Sequence, residues 1–129
     1  MKKNSVLRDV WLAVFLLLLL FSLTLANTLI YEHIVGTLIE KAEELNIAED
    51  CGALSEQVKL IEEEFDRWTF FMGITVNHDD IGRAESELIE LVEAIESNDA
   101  TAARIAKSRL IGALKQLRRL SGAGIDSII

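Results

Sequence analysis

Apolar residues are arranged along this 129-residue chain in two ways. From Val10 to Ile30 they form a near-continuous run, VWLAVFLLLLLFSLTLANTLI, with no ionised side chain. At ~1.5 Å per residue such a helix crosses the ~30 Å hydrocarbon core of a bilayer. Beyond Tyr31 the apolar residues return every three or four positions, the period of a helix with one buried face.

Four such stripes can be traced, separated by turn-forming residues. Ile34, Leu38, Ala42 and Leu45 mark a first helix over about residues 31–49, which continues the membrane helix, with a turn near 46–54. Leu54, Val58, Ile61, Phe65, Trp68 and Met72 mark a second, with Ser55 as its expected N-cap and its end near 73–76. Asn77 is the expected cap of a third helix carrying Ile81, Ala84, Leu88, Leu91, Val92 and Ile95. Asn98 and Asp99 stop that helix and cap a fourth, which carries Ala103, Ala106, Leu110, Ala113, Leu114, Leu117 and Leu120 and is closed by Gly122. Helices of matched length joined by short connections pack as antiparallel neighbours. The expected fold is therefore all-α, with an N-terminal transmembrane helix followed by an up-down antiparallel four-helix bundle. Its segments are a cytoplasmic N-terminus (1–9), an anchor helix (10–30), an extracytoplasmic bundle (31–121) and a C-terminal tail (122–129).

Composition supports this class and narrows the function. Proline is absent and aromatic residues are few, which favours helices over strands. The net charge is −8, and from Tyr31 onward Asp and Glu outnumber Lys and Arg two to one. Such a surface repels phosphate backbones, so no nucleic acid partner is expected. Lys2, Lys3 and Arg8 precede the apolar run, which holds the N-terminus inside and sends the rest across. Trp11 and Tyr31 flank the run, where amphipathic rings favour the headgroup level. The rival reading is a cleaved signal peptide, with a passable site at Thr24-Leu25-Ala26. Leu29 and Ile30 extend the apolar stretch past that site, which favours an uncleaved anchor at the plasma membrane.

Little points to chemistry. Cys51 is the single cysteine, so neither a disulfide within the chain nor a cysteine-rich zinc site can form. His78-Asp79-Asp80 is the one cluster of metal-ligand types, but consecutive helical positions point in different directions, and acids in a first turn favour the helix dipole without any metal. His33 reads as a polar residue at the membrane boundary, and Glu62-Glu63-Glu64 as a solvated face. No phosphate-binding glycine loop, HExxH motif or nucleophile motif occurs. No cofactor, resident metal or enzymatic activity is expected.

Charge is sorted by helix. Glu85, Glu87, Glu90, Glu93 and Glu96 lie on the third helix, and Arg104, Lys107, Arg109, Lys115, Arg118 and Arg119 on the fourth. Antiparallel packing of the two would set opposite signs along a shared edge. Phe70 falls on the face opposite Trp68, outside the apolar stripe, with Phe71 beside it. Because the chain leaves the membrane at Tyr31, the second-to-third turn and the end of the fourth helix return toward the bilayer. Phe70, Phe71, Lys115, Arg118 and Arg119 are thus the candidate interaction or membrane-proximal surface.

Trp68, the His78-Asp79-Asp80-Ile81 block, Glu85, Leu88, Asp99 with Ala102 and Ala103, then Leu110, Leu114 and Leu117 resemble the pattern of domain of unknown function family 4363. These are short proteins of endospore-forming Gram-positive bacteria with an N-terminal membrane helix and an acidic helical domain. Gly82 departs from the pattern, standing where an acid is expected, while the tail Gly124–Ile129 is similar to the family's ending. The resemblance implies an envelope protein and supplies no catalytic residue. The expected function is a membrane-tethered protein-interaction module, binding another protein or its own copy. The alternative is an extracytoplasmic ligand-sensing bundle signalling through a partner, which a polar group buried among the stripes would favour.

Overall fold

The computed structural model describes the backbone of residues 2–75 and 78–126 and the side chains of residues 4–70 and 78–119. All the described secondary structure is helical: α1 (Lys2–Glu43), a short 3₁₀ helix (Cys51–Leu54), α2 (Ser55–Thr75), α3 (His78–Glu96) and α4 (Ala100–Asp126). The chain divides into two compact units, residues 1–30 and residues 31–129.

The first unit is helix alone. Its apolar side chains stand free, Trp11 and Leu17 each being 67% exposed. α1 is long and apolar enough to cross a membrane, with a mean hydropathy of 2.4 over its most apolar window, none of it buried. The two threonines within the run satisfy their hydroxyls internally, Thr24 and Thr28 donating to the carbonyls of Leu20 and Thr24 one turn earlier. Such internal bonding is what lets threonine sit in a segment surrounded by hydrocarbon.

The second unit has one apolar core, which the periodicity outlines. Ile34, Leu38, Ala42 and Leu45 are buried, as are Val58, Ile61 and Phe65 of α2 and the whole α3 stripe. On α4 the buried set is Ala103, Ala106, Leu110, Ala113, Leu114 and Leu117. Trp68, expected within the core, is only half-buried at its edge together with Leu54. Met72, Leu120 and the capping side chain of Asn77 lie outside the described residues. α3 and α4 bring their backbones closest together. The alanines of α4, with Ala84 and Ala94 of α3, allow this, because a methyl group keeps two helix axes less far apart than a leucine does.

Several boundaries differ from expectation. α1 ends at Glu43, six residues early, and the chain continues as a strap to Asp50. Leu45 and Ile47 are buried, so the strap turns its own side chains into the core, which a continued helix would direct by a different register. Lys107 secures this end by donating to the carbonyls of Glu43 (3.3 Å) and Leu45 (2.7 Å), and Arg104 Nε donates to that of Ile47 (3.2 Å). A cation at a helix C-terminus satisfies its orphan carbonyls and opposes its dipole. Ser55 is not an N-cap: its backbone is already helical, because the 3₁₀ turn feeds α2 directly. Nor does Gly122 close α4, whose backbone stays helical to Asp126.

The α3–α4 corner follows its sequence signals. Asn98 adopts φ 55°, and the amides of Asn98 and Asp99 donate to the carbonyls of Ile95 and Ala94, closing α3 in a Schellman motif. Asp99 then accepts from the Ala102 amide at 3.1 Å and caps α4. Asn98 also accepts from the Gly52 amide at 2.9 Å, pinning this corner to the 3₁₀ helix.

Candidate functional site

The end of the second unit that contains Tyr31 gathers most of the residues singled out above. The Tyr31 ring turns into the core of the second unit rather than outward. Tyr31 is 1% exposed and its hydroxyl donates to the Leu117 carbonyl at 3.3 Å. Burial, with Asp80 nearby as a smaller contribution, pushes its pKa up to about 12. Tyr31 therefore joins the start of the unit to α4 and lies close to the first turn of α3. The sequence carried a signal for this, since Tyr31, Ile34, Val35 and Leu38 follow helical spacing and all are buried.

Around this joint, Asp79 and Asp80 occupy the first turn of α3. His78 and Asp79 are exposed and Asp80 is half-buried. Among the described residues no group of three or more His, Cys, Asp or Glu side chains stands close enough to hold a metal ion. His33 is exposed and Cys51 is buried with a free thiol.

The candidate surface residues divide. Phe70 is 83% exposed, whereas the Phe71 side chain lies outside the described residues. Lys115 is exposed and stands 3.8 Å from Glu43. Arg118 and Arg119 are exposed and have no hydrogen bond or ion pair among the described residues. The expected ladder between α3 acids and α4 bases reduces to Arg109–Glu90 at 4.0 Å, beside a 3.4 Å contact of Arg83 with Gln116. Three of the six bases of α4, Arg104, Lys107 and Lys115, turn the other way, toward the end of α1 and the strap. Exposed pairs of this kind contribute ~0.2–1 kcal/mol at most.

The cavities of this unit are open grooves rather than enclosed pockets. One of about 420 Å³ runs between α3 and α4 over Ala94, Ala102 and Ala106, rimmed by Glu90, Glu93 and Arg109, with the half-exposed Ile105 on its wall. Another of about 430 Å³ lies over Ile47 and Ile111 beside Arg104 and Lys107. Among the described residues the core holds no buried polar or charged residue apart from the Tyr31 phenol and the Cys51 thiol. One Glu87 carboxylate oxygen is shielded from water without a hydrogen-bond partner, though the residue as a whole is only half-buried. Among the described residues, no nucleophile and base stand together in a recess for substrate. No family model, curated protein or solved structure matches the chain, so its reading rests on its own residues.

Proposed function

We propose that this chain is a single-pass protein of the plasma membrane, anchored by residues 10–30, that holds an up-down antiparallel four-helix bundle outside the cytoplasm as a protein-interaction module of the cell envelope. One observation carries the reading. A long helix exposes apolar side chains on every face, while the unit that follows has a complete core of its own. Water does not tolerate such a helix, and a bilayer covers it fully. Lys2, Lys3 and Arg8 support a cytoplasmic N-terminus.

Cross-helix contacts support the up-down arrangement. Tyr31 meets Leu117 and Glu43 meets Lys107, so α4 runs against residues 31–43. Lys41 pairs with Glu64, and Lys59 with Glu96. Arg83 and Arg109 reach Gln116 and Glu90, which reverses α4 against α3. An interaction role is the reading left by a compact bundle with shallow grooves and without assembled chemistry; a protein partner or a second copy would use its outer faces. The ligand-sensing alternative draws no support from the described core, whose stripes are apolar.

Two measurements on cells expressing the full chain test this. The protein should stay with membranes through alkaline carbonate washing, and protease added to spheroplasts should digest residues 31–129 but spare an N-terminal tag. Release by carbonate, or a mature N-terminus at Asn27, would overturn the anchor.

A further inference from the structure

We infer that the Tyr31 end of the helical unit is a docking surface for anionic phospholipid headgroups, with Arg118 and Arg119 binding phosphate and Phe70 making the apolar contact. The inference rests on the membrane-anchor reading above.

Position is the first support. Tyr31 directly follows the apolar run, and its hydroxyl is bonded to Leu117. Arg118 and Arg119 are the next residues of α4, within about 3 Å of Leu117 along the helix axis. They therefore stand at the level where the chain enters the unit, and a chain entering from a bilayer enters at the headgroups. Their stems are long enough to carry a guanidinium to a phosphate oxygen, which it grips with two parallel hydrogen bonds.

Availability is the second. Arg104 and Lys107 are bonded to carbonyls of the strap and of α1, Arg109 stands beside Glu90, and Lys115 beside Glu43. The α4 cations without a partner among the described residues are Arg118 and Arg119, the two at the entry level. At this end Asp80 is half-buried near Tyr31. Asp79 beside it and Asp66 of α2 are exposed, while the further exposed acids Glu40, Glu43, Glu44, Glu49 and Asp50 lie toward the opposite end, away from a negatively charged surface.

Phe70 supplies the third support. Taking Lys41–Glu64 as the register between α1 and α2, Phe70 lies six residues further along α2, about 9 Å toward the Tyr31 end. Among the described residues it is the most exposed large apolar side chain outside the anchor. An aromatic ring and arginines exposed toward the same end suit an interface with anionic headgroups, where the ring enters the headgroup layer and the cations meet phosphate.

The test uses the full chain, with Cys51→Ser and a single bimane-labelled cysteine introduced by Phe70→Cys, or by Ile105→Cys as a control about 18 Å from Leu117 along α4. Each protein is reconstituted into vesicles of phosphatidylcholine, alone or mixed with phosphatidylglycerol, containing a lipid spin-labelled at its headgroup. Flotation with the vesicles tests the anchor, and far-UV circular dichroism confirms that each variant is folded. Quenching at position 70 should exceed that at position 105 several-fold and should increase with phosphatidylglycerol. The Arg118→Gln/Arg119→Gln double variant should lose the phosphatidylglycerol dependence while still floating. A chain that floats with equal quenching at both positions overturns the docking surface alone, as does a phosphatidylglycerol effect that survives the double variant. A chain that does not float overturns the anchor and the surface together.

Discussion

Tyr31 shows how one side chain can do something its place in the sequence disguises. At the end of an apolar run a tyrosine reads as a headgroup anchor, yet here its ring is buried and its hydroxyl is bonded to Leu117. Burial favours the neutral phenol, so the folded-state pKa of about 12 lies above the unfolded value near 10. Tyr31 contributes this stability in full below about pH 10, and the contribution is lost as pH rises through that window toward 12. Urea unfolding of detergent-solubilised full chain should therefore weaken between about pH 10 and pH 12 in the wild type. Tyr31→Phe should flatten that dependence and cost about 0.5–1.5 kcal/mol at neutral pH through the lost hydrogen bond. A variant with the same alkaline slope as the wild type would assign the loss to another group. Leu110 and Glu90 make a second contrast, between a 1% exposed core residue and an exposed glutamate. Leu110→Ala should cost ~2–5 kcal/mol, and Glu90→Ala should stay within ~0.5 kcal/mol. Matching denaturation midpoints for the two would contradict the core assignment.

At the scale of elements, the corners and helix ends decide where each helix stops. Asn98 combines a left-handed backbone with a side-chain bond to Gly52, so its substitutions can separate the two contributions. Asn98→Gly keeps the backbone conformation and loses the bond, which should cost about 1 kcal/mol. Asn98→Ala loses both and should cost about 1–2 kcal/mol more, measured by chemical denaturation. Equal costs would mean that the positive φ contributes nothing. The α3–α4 seam is the other element-scale feature. Ala106 is 3% exposed on the helix pair whose backbones come closest, so Ala106→Leu should be destabilising by about 1–3 kcal/mol despite its greater hydrophobicity. A stabilised variant in thermal unfolding would show that the seam has room to spare. The helix positions were readable because burial on one face repeats every 3.6 residues. The early end of α1 was not, because it depends on Lys107 and Arg104, more than fifty residues away in sequence, reaching the strap carbonyls.

For the whole molecule, the sequence alone determined the class and the composition of the core. The long apolar run, the helical periodicity, the lack of proline and the Asn98-Asp99 corner are local properties, and local properties survive without knowledge of neighbours. Most of the expected stripe residues line the core, with Leu54 and Trp68 at its edge as exceptions, and Tyr31, Val35, Ile39, Ile47, Cys51 and Ala94 are buried beyond those stripes. Charge sorting between the third and fourth helices suggested an ion-pair ladder, but the tertiary structure turned three of those six bases, Arg104, Lys107 and Lys115, toward α1 and the strap. The reason is geometric: a lysine or arginine can reach partners over a wide arc, and which partner lies within reach is set by how the helices rotate about their axes. That rotation is governed by the fit of the apolar faces, here by the alanines that let α3 approach α4. The same fit left Phe70, Arg118 and Arg119 exposed while it buried Tyr31. Sequence spacing could place Phe70 off the core stripe, but only the packed helices decided which cations were occupied and which remained available.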